Sequence, residues 1–288
     1  MRSMVYLRIL FCVPALCQPV AQSFEATSVK PASPAAARAW PTIRGGPGTS
    51  DPARITFTNV TLISVLLRAY NVMPYQASGP AWLSSERYDI TATIPAGTTK
   101  EQTARMLQNL LAERFGLALH HETRDLQGFE LTVGKGGSKL KVSSGGQTGA
   151  SEEPDSPPKT DSNGFPVLNA PGLEMMEGVR GKTVVSFLNA KAQPISALTD
   201  RLSREFRQPI LDKTGLSGNF DFTLEFAPQP PGAAGPAPSM EGPPDTSDES
   251  GPNLLTAVQQ QLGLKLNRAW IAVDVLIVDR ANRLPIGN

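Results

Sequence analysis

The sequence predicts an α+β protein made of two tandem copies of a small β-α-β-β-α-β-β module, with two helices packed on a mixed sheet in each copy. Three observations predict this fold. Segments with alternating apolar residues, typical of strands, are interleaved with segments of helical periodicity. These segments follow the same order in both halves of the chain. One strand pattern also recurs, as "RYDITATIP" at 87–95 and "NFDFTLEFAP" at 219–228.

Length and charge set the first limits on domain number and partners. The 288 residues are enough for two modest domains. The chain has 27 basic and 26 acidic residues, a formal net charge of +1. With charges so nearly balanced, the protein has no broad positive electrostatic field that would attract nucleic acid or an anionic membrane surface. We therefore expect no nucleic-acid partner.

Residues 1–23 have the pattern of a signal peptide. Two arginines precede a short apolar run, and small residues precede the expected cleavage before Phe24. We therefore expect an exported protein, periplasmic or secreted. A buried N-terminal strand is the alternative interpretation. Lipoprotein anchoring through Cys17 is disfavoured, because Leu16 is bulkier than the small residue usual before a lipidated cysteine.

Both cysteines, Cys12 and Cys17, lie inside the predicted signal peptide. The cleaved chain would therefore contain no disulfide, no thiolate nucleophile and no cysteine metal ligand. No later stretch reaches the roughly 18 apolar residues of a membrane-spanning helix. The sequence thus predicts no membrane span after cleavage.

The first half is predicted to form an N-terminal strand and Pro/Gly-rich loop at 24–54, followed by a first α+β module at 55–133. The module's elements are predicted as a strand at 55–60, a helix at 61–72, a strand at 87–94, a helix from Thr99 to Gly116 and a hairpin at 117–133 turning between Asp125 and Gly128. The second helix has the clearest signals. Thr99 and Gln102 have capping-box spacing, and Gly116 suits a left-handed C-terminal cap.

The second half is predicted to follow a polar linker at 134–182. A second module at 183–280 contains a Pro/Gly-rich insert at 227–252, and a tail covers 281–288. Its elements are predicted as a strand at 183–190, a helix with Pro194 at its first position, a short strand and turn at 208–215, a strand at 219–226, a helix capped by Asn253 and a hairpin at 264–280. The last strand of this hairpin is apolar on both faces, which predicts a central place in a covered sheet.

Several residues match when the two halves are compared. Tyr88-Asp89-Ile90-Thr91 corresponds to 220–223, Leu62 to Ile195, and Phe57 to Phe187. Chance similarity between two α+β segments is the alternative. Because the order of elements also agrees, the pattern favours duplication.

The motifs "GPAWLSSERYDITA", "MLQNLLAERFGLALHHETRDL" and "LDKTGLSGNFDFTLEF" together resemble an exported, soil-associated bacterial family known only as a domain of unknown function (DUF3738-like). The resemblance covers the chain from about Phe24 to its C-terminus. It implies an extracytoplasmic location and no established activity. Some relatives carry this region behind a membrane metallopeptidase sensor, which implies a sensing role as an alternative. Each half is also similar in topology to the secretin and TonB N-terminal (STN-like) interaction module.

The strongest cluster of metal-capable side chains is His120-His121-Glu122. On a strand, His120 and Glu122 share one face and His121 takes the other. Two ligands fall short of the three or four that a usual site needs, and the chain has no third histidine. We therefore predict no metal site and no cofactor, and we keep His120 and Glu122 as low-specificity binding candidates.

Aromatic residues give a second group of binding candidates. Tyr75 and Trp82 lie near Arg87, and aromatic side chains with one polar partner can form a groove. The alternative is that they close the edge of a core. Asp212, in the turn "DKTG", is a further candidate. No G-x-S-x-G or phosphate-loop spacing occurs, so no catalytic set is predicted.

The sequence therefore predicts a non-catalytic binding or interaction module in the cell envelope. Its partner would be an envelope protein, or a peptide or glycan ligand. An extracytoplasmic hydrolase is the main alternative. It would require a deep cleft between the halves in which carboxylates of Asp89, Glu122, Asp212 or Asp221 converge.

Overall fold

A computed structural model of the chain describes residues 23–33, 39–144, 159–228 and 252–287. Within these ranges the fold is mixed α+β, with four helices and three four-stranded sheets. The predicted signal peptide lies outside the described residues except for Ser23. Parts of the predicted linker and most of the predicted insert also lie outside them.

The first half of the chain forms eight elements. In chain order they are β1 (Ala26–Pro31), β2 (Thr42–Gly45), β3 (Arg54–Thr61), α1 (Leu62–Tyr70), β4 (Ala77–Ser78), β5 (Arg87–Thr93), α2 (Lys100–Phe115) and β6 (Ala118–Val133). Single 3-10 turns at Pro74–Gln76 and Ala81–Ser84 flank β4.

The second half forms eight further elements. They are β7 (Lys141–Val142), β8 (Gly172–Arg180), β9 (Thr183–Pro194), α3 (Ile195–Phe206), β10 (Ile210–Asp212), β11 (Asn219–Phe226), α4 (Leu254–Leu262) and β12 (Leu264–Arg280).

Each half has its own outer sheet. The strand orders are β1-β5-β3-β2 and β7-β11-β9-β8, and all neighbours are antiparallel. The prediction of a mixed sheet in each half is therefore wrong. The mixed sheet is a third, central one that both halves share, with the order β10-β6-β12-β4. There β6 and β12 are antiparallel, while β10 is parallel to β6 and β4 is parallel to β12.

Two long strands replace the two predicted hairpins. β6 and β12 are continuous strands of 16 and 17 residues that pair with each other from Leu264–Val133 to Arg280–Ala118. The predicted turn at Gly128 is wrong. Gly128 lies inside β6, where the lack of a side chain lets another segment of backbone come close to it. A Cβ at Gly128 would lie 2.2 Å from the carbonyl oxygen of Pro209, the residue that precedes β10.

The two long strands also join the two hydrophobic cores. Leu276 and Val278, near the end of β12, are buried in the core of the first half. Phe129 and Leu131, near the end of β6, are buried in the core of the second half. Burying one such side chain is worth about 1.5–3 kcal/mol. Each half therefore stabilises the other.

The helix boundaries largely follow the predicted signals. The Thr99 hydroxyl accepts from the Gln102 N–H at 3.2 Å, and the Gln102 side chain accepts from the Thr99 N–H at 2.8 Å, which confirms the capping box. Gly116 ends α2 at φ 56°, as predicted. Pro194 is the N-cap of α3 and not its first residue, because its backbone is extended.

Candidate functional site

One face of the central sheet is exposed between the two cores. In the paired strands β6 and β12, Gln127 lies opposite Trp270, Asp125 opposite Ala272, and Thr123 opposite Asp274. All six residues are exposed. On the other face of β12, Ile271, Val273 and Val275 are buried. The alternation along β12 therefore turns a polar strip, centred on Trp270, toward solvent.

Trp270 stands in a cleft on this strip. Trp270 is 68% exposed, although it lies in the middle of a 17-residue strand. The cleft measures about 250 Å³ and is lined by Gln127, Gly128, Phe129, Gln208, Arg268, Ala269 and Trp270. It therefore combines an indole with two side-chain amides and a guanidinium. Amides both donate and accept hydrogen bonds, so the cleft can orient a polar ligand against an aromatic surface.

An open strand edge runs beside this cleft. β12 pairs with β4 only at Leu276 and Ile277. Among the described residues, no strand pairs with the same edge of β12 between Leu264 and Val275. Near its end, the Gln76 side chain donates to the Asp274 carbonyl at 3.2 Å. The remaining stretch leaves backbone donors and acceptors to which an added strand could bind.

The predicted aromatic candidates lie elsewhere and have structural contacts. Tyr75 packs against the buried residues of β12, and Ser203 of α3 lies close enough to its hydroxyl to influence it, so Tyr75 lies where the two halves meet. Burial raises its pKa. Trp82 is half-buried against the core of the first half, with the Arg283 guanidinium 5.9 Å from its ring centroid.

The predicted polar candidates each have a separate partner. The Arg87 guanidinium donates to the Asn59 carbonyl at 2.8 Å, and Asp212 accepts from the Thr214 backbone N–H at 2.9 Å. His120 and Glu122 share one face of β6, as the alternation predicts. Each of these side chains and the neighbouring His121 is paired with a charged group. His120 pairs with Asp279 at 2.9 Å, His121 with Asp274 at 2.8 Å and Glu122 with Arg124 at 2.8 Å.

The electrostatics of this region come from surface pairs. The Arg124 hydrogen bond lowers the pKa of Glu122. Across the part of the chain that the structure describes, no three His, Cys, Asp or Glu side chains are grouped to hold a metal ion. No described helix is long and apolar enough to cross a membrane.

Sequence reasoning missed Trp270. The signal was present in the alternation of Arg268, Trp270, Ala272 and Asp274 with apolar neighbours, which places the indole on the polar face. The assumed hairpin concealed it, because a turn near this point would have broken the alternation.

The structure thus defines a mixed α+β protein with a cleft on a sheet shared by its two halves. The chain belongs to the family described as "Protein of unknown function (DUF3738)", whose model matches residues 63–281. The matched region contains every residue that lines the cleft. No curated protein and no solved structure matches the chain.

Proposed function

We propose that the protein is an exported, non-catalytic binding module of the cell envelope that holds an extended peptide beside Trp270. The observation that carries this proposal is the 68% exposure of Trp270 within the cleft on β12. Exposed tryptophan is uncommon away from interaction surfaces, because the indole gains more from burial than most side chains.

The open edge of β12 favours a peptide ligand. An added strand would pair with this edge of β12, and its side chains would alternate toward and away from the cleft. A glycan is the second ligand class that fits, because its ring could pack on the indole. A glycan would not use the strand edge.

We also infer that the two halves are copies of one unit. Their outer sheets share one strand order, and β4 and β10 occupy corresponding edges of the central sheet. Both second helices end at a glycine with positive φ, Gly116 and Gly263. If the unit was duplicated, the last long strand of each copy, β6 or β12, would pair with that of the other copy. This pairing would form the central sheet on which the cleft lies.

Export is supported by the residue pattern at 1–23 and by the resemblance of the chain to exported proteins. Fractionation of the native host tests it, with the mature protein expected in the periplasmic or secreted fraction. Recovery of the full-length chain from the cytoplasm alone would contradict export. A role as the sensor of a membrane metallopeptidase would require the protein to retain one consistent envelope protein in a pull-down.

The hydrolase alternative would need carboxylates of Asp89, Glu122, Asp212 or Asp221 to converge in one cleft. Instead, they accept hydrogen bonds from four local donors, namely Asp89 from the Asn59 N–H, Asp221 from the Ala192 N–H, Asp212 from Thr214 and Glu122 from Arg124. Asp89 and Asp221 lie in different outer sheets, whereas Glu122 and Asp212 lie in the central one. This distribution supports binding over hydrolysis.

A ligand screen tests the binding role. The wild-type protein, Trp270→Ala and the matched control Trp40→Ala would be screened against peptide and oligosaccharide arrays. Trp40 is 87% exposed but does not line the cleft. We expect peptide ligands that Trp270→Ala loses and Trp40→Ala keeps. Equal binding by both variants would contradict the proposed site.

A further inference from the structure

A second concave surface lies in the first half, away from the Trp270 cleft. It is a groove of about 550 Å³ between the end of α1 and the first turns of α2. Its apolar part is formed by Ala69, Tyr70 and Leu107. The Gln108 side chain donates to the Ala69 carbonyl at 2.8 Å and fixes the two helices to each other. The groove therefore has two walls that are held in place.

The rim of this groove carries an excess of positive charge. Its charged residues are Arg68, Lys100, Arg105 and Glu101. Within the described residues, none of the three cations forms an ion pair. The carboxylate of Glu101 lies at the start of α2, where its own backbone N–H, the Thr99 side chain and the charge of Lys100 lower its pKa. The rim therefore carries three cations and one carboxylate, a net excess of two positive charges.

The corresponding helices of the second half differ from α1 and α2 in ion pairing and in length. Arg201 of α3 is paired with Glu205 and also contacts the Met175 sulfur. α4 has nine residues where α2 has 16, although both helices end at a glycine. The turns of α2 that carry Lys100 and Arg105 therefore have no counterpart in α4. The three cations of the groove therefore have no unpaired counterparts in α3 and α4.

We propose that this groove binds an acidic peptide segment. Carboxylates of the ligand would pair with Arg68, Lys100 and Arg105, and an apolar side chain between them would contact Tyr70. The volume lies in the range of roughly 300–1,000 Å³ that is usual for ligand sites. A nucleic acid fits less well, because stable binding usually engages about 6–10 phosphates and the chain has a net charge of +1.

Fluorescence anisotropy tests the proposal directly. The probes would be a labelled short peptide that alternates Glu and Leu and its counterpart with Gln in place of Glu. We expect the acidic probe to bind, to weaken as salt is added, and to bind about tenfold more weakly to Arg68→Gln/Arg105→Gln. The matched control is Arg204→Gln/Lys265→Gln, which removes the same number of exposed cations from the second half.

Three results would overturn the proposal. They are no binding of the acidic probe, equal binding of the Gln probe, and equal loss of affinity in both double variants. Thermal melting would confirm that the variants remain folded. Trp270→Ala should leave binding of the acidic probe unchanged, so failure of this groove is distinguishable from failure of the Trp270 cleft.

Discussion

The carboxylate of Asp221 accepts a hydrogen bond from the backbone N–H of Ala192 at 2.7 Å. Ala192 has a φ of 51° and lies where β9 bulges against β11. Asp89 makes the same contact with Asn59, at 2.8 Å and a φ of 56°, where β3 bulges against β5. Each of these two acids therefore holds a bulge in its sheet.

Removing this acceptor should destabilise the fold. Asp221→Ala would leave the Ala192 N–H without its partner, at an expected cost of about 1–3 kcal/mol. Asp221→Asn keeps an acceptor oxygen and should cost less. Urea unfolding measures both free energies, and Asp125→Ala, an exposed carboxylate on β6, is the control. Equal stability of Asp221→Ala and the control would contradict the bulge role.

The close approach at Gly128 gives a steric prediction. Gly128→Ala would bring a methyl group against the Pro209 carbonyl and should lower the free energy of unfolding by about 1–3 kcal/mol or more. Gly136→Ala is the matched control, because a Cβ there meets nothing within 4 Å and its φ is not positive. Similar unfolding midpoints for the two variants would show that the Pro209 carbonyl does not lie against Gly128.

The phenol of Tyr88 gives a pH prediction. Burial raises its pKa to about 12, and its hydroxyl donates to the Arg283 carbonyl at 2.7 Å. The folded state keeps the phenol protonated at pH values above its ordinary pKa of 10. The stabilisation of the folded state by this proton is therefore complete below pH 10 and is lost as pH rises toward 12.

Tyr88→Phe should therefore cost about 0.5–1.5 kcal/mol at neutral pH. Above pH 10 the wild-type protein should lose stability faster than the variant. Urea unfolding on either side of pH 10 measures this difference. Parallel pH profiles for the two proteins would show that Tyr88 makes no such contribution.

The antiparallel pairing of β6 with β12 predicts that the two halves stay associated when the chain between them is cut. A protease site placed within residues 145–158 would allow the chain to be cut between the halves. We expect the two fragments to co-elute and to unfold in one transition, as in the uncut protein. Separation of the fragments, or two transitions, would contradict the shared sheet.

The helices followed from local signals. The apolar stripe that helical spacing gives α2 is buried, and it consists of Met106, Leu107, Leu110, Leu111 and Phe115. In α1 the buried face includes Val65 and Ala69, whereas Ile63 and Leu67, which helical spacing groups with Leu62 and Leu66, are only partly buried. The face is rotated because α1 must pack on both α2 and its own sheet, which periodicity alone does not specify.

The long strands did not follow from local signals. Asp125 and Gly128 have turn propensity, but pairing with a strand about 140 residues away overrides it. Nonlocal pairing also sets the correspondence between the halves. The bulges align Asn59 with Ala192, so Phe57 corresponds to Ala190 and the predicted match with Phe187 is displaced by three residues. Trp270 became visible as a site residue only once β12 was known to be continuous.

The most direct test of the central claim is the emission of Trp270 during ligand binding. The chain has three tryptophans, so Trp40→Phe/Trp82→Phe leaves Trp270 as the sole indole. Peptides selected by the array would be titrated against this protein, with anisotropy of a labelled peptide recorded in parallel. We predict a saturable change in indole emission that follows the anisotropy. Binding with unchanged emission, together with undiminished binding to Trp270→Ala, would contradict the claim.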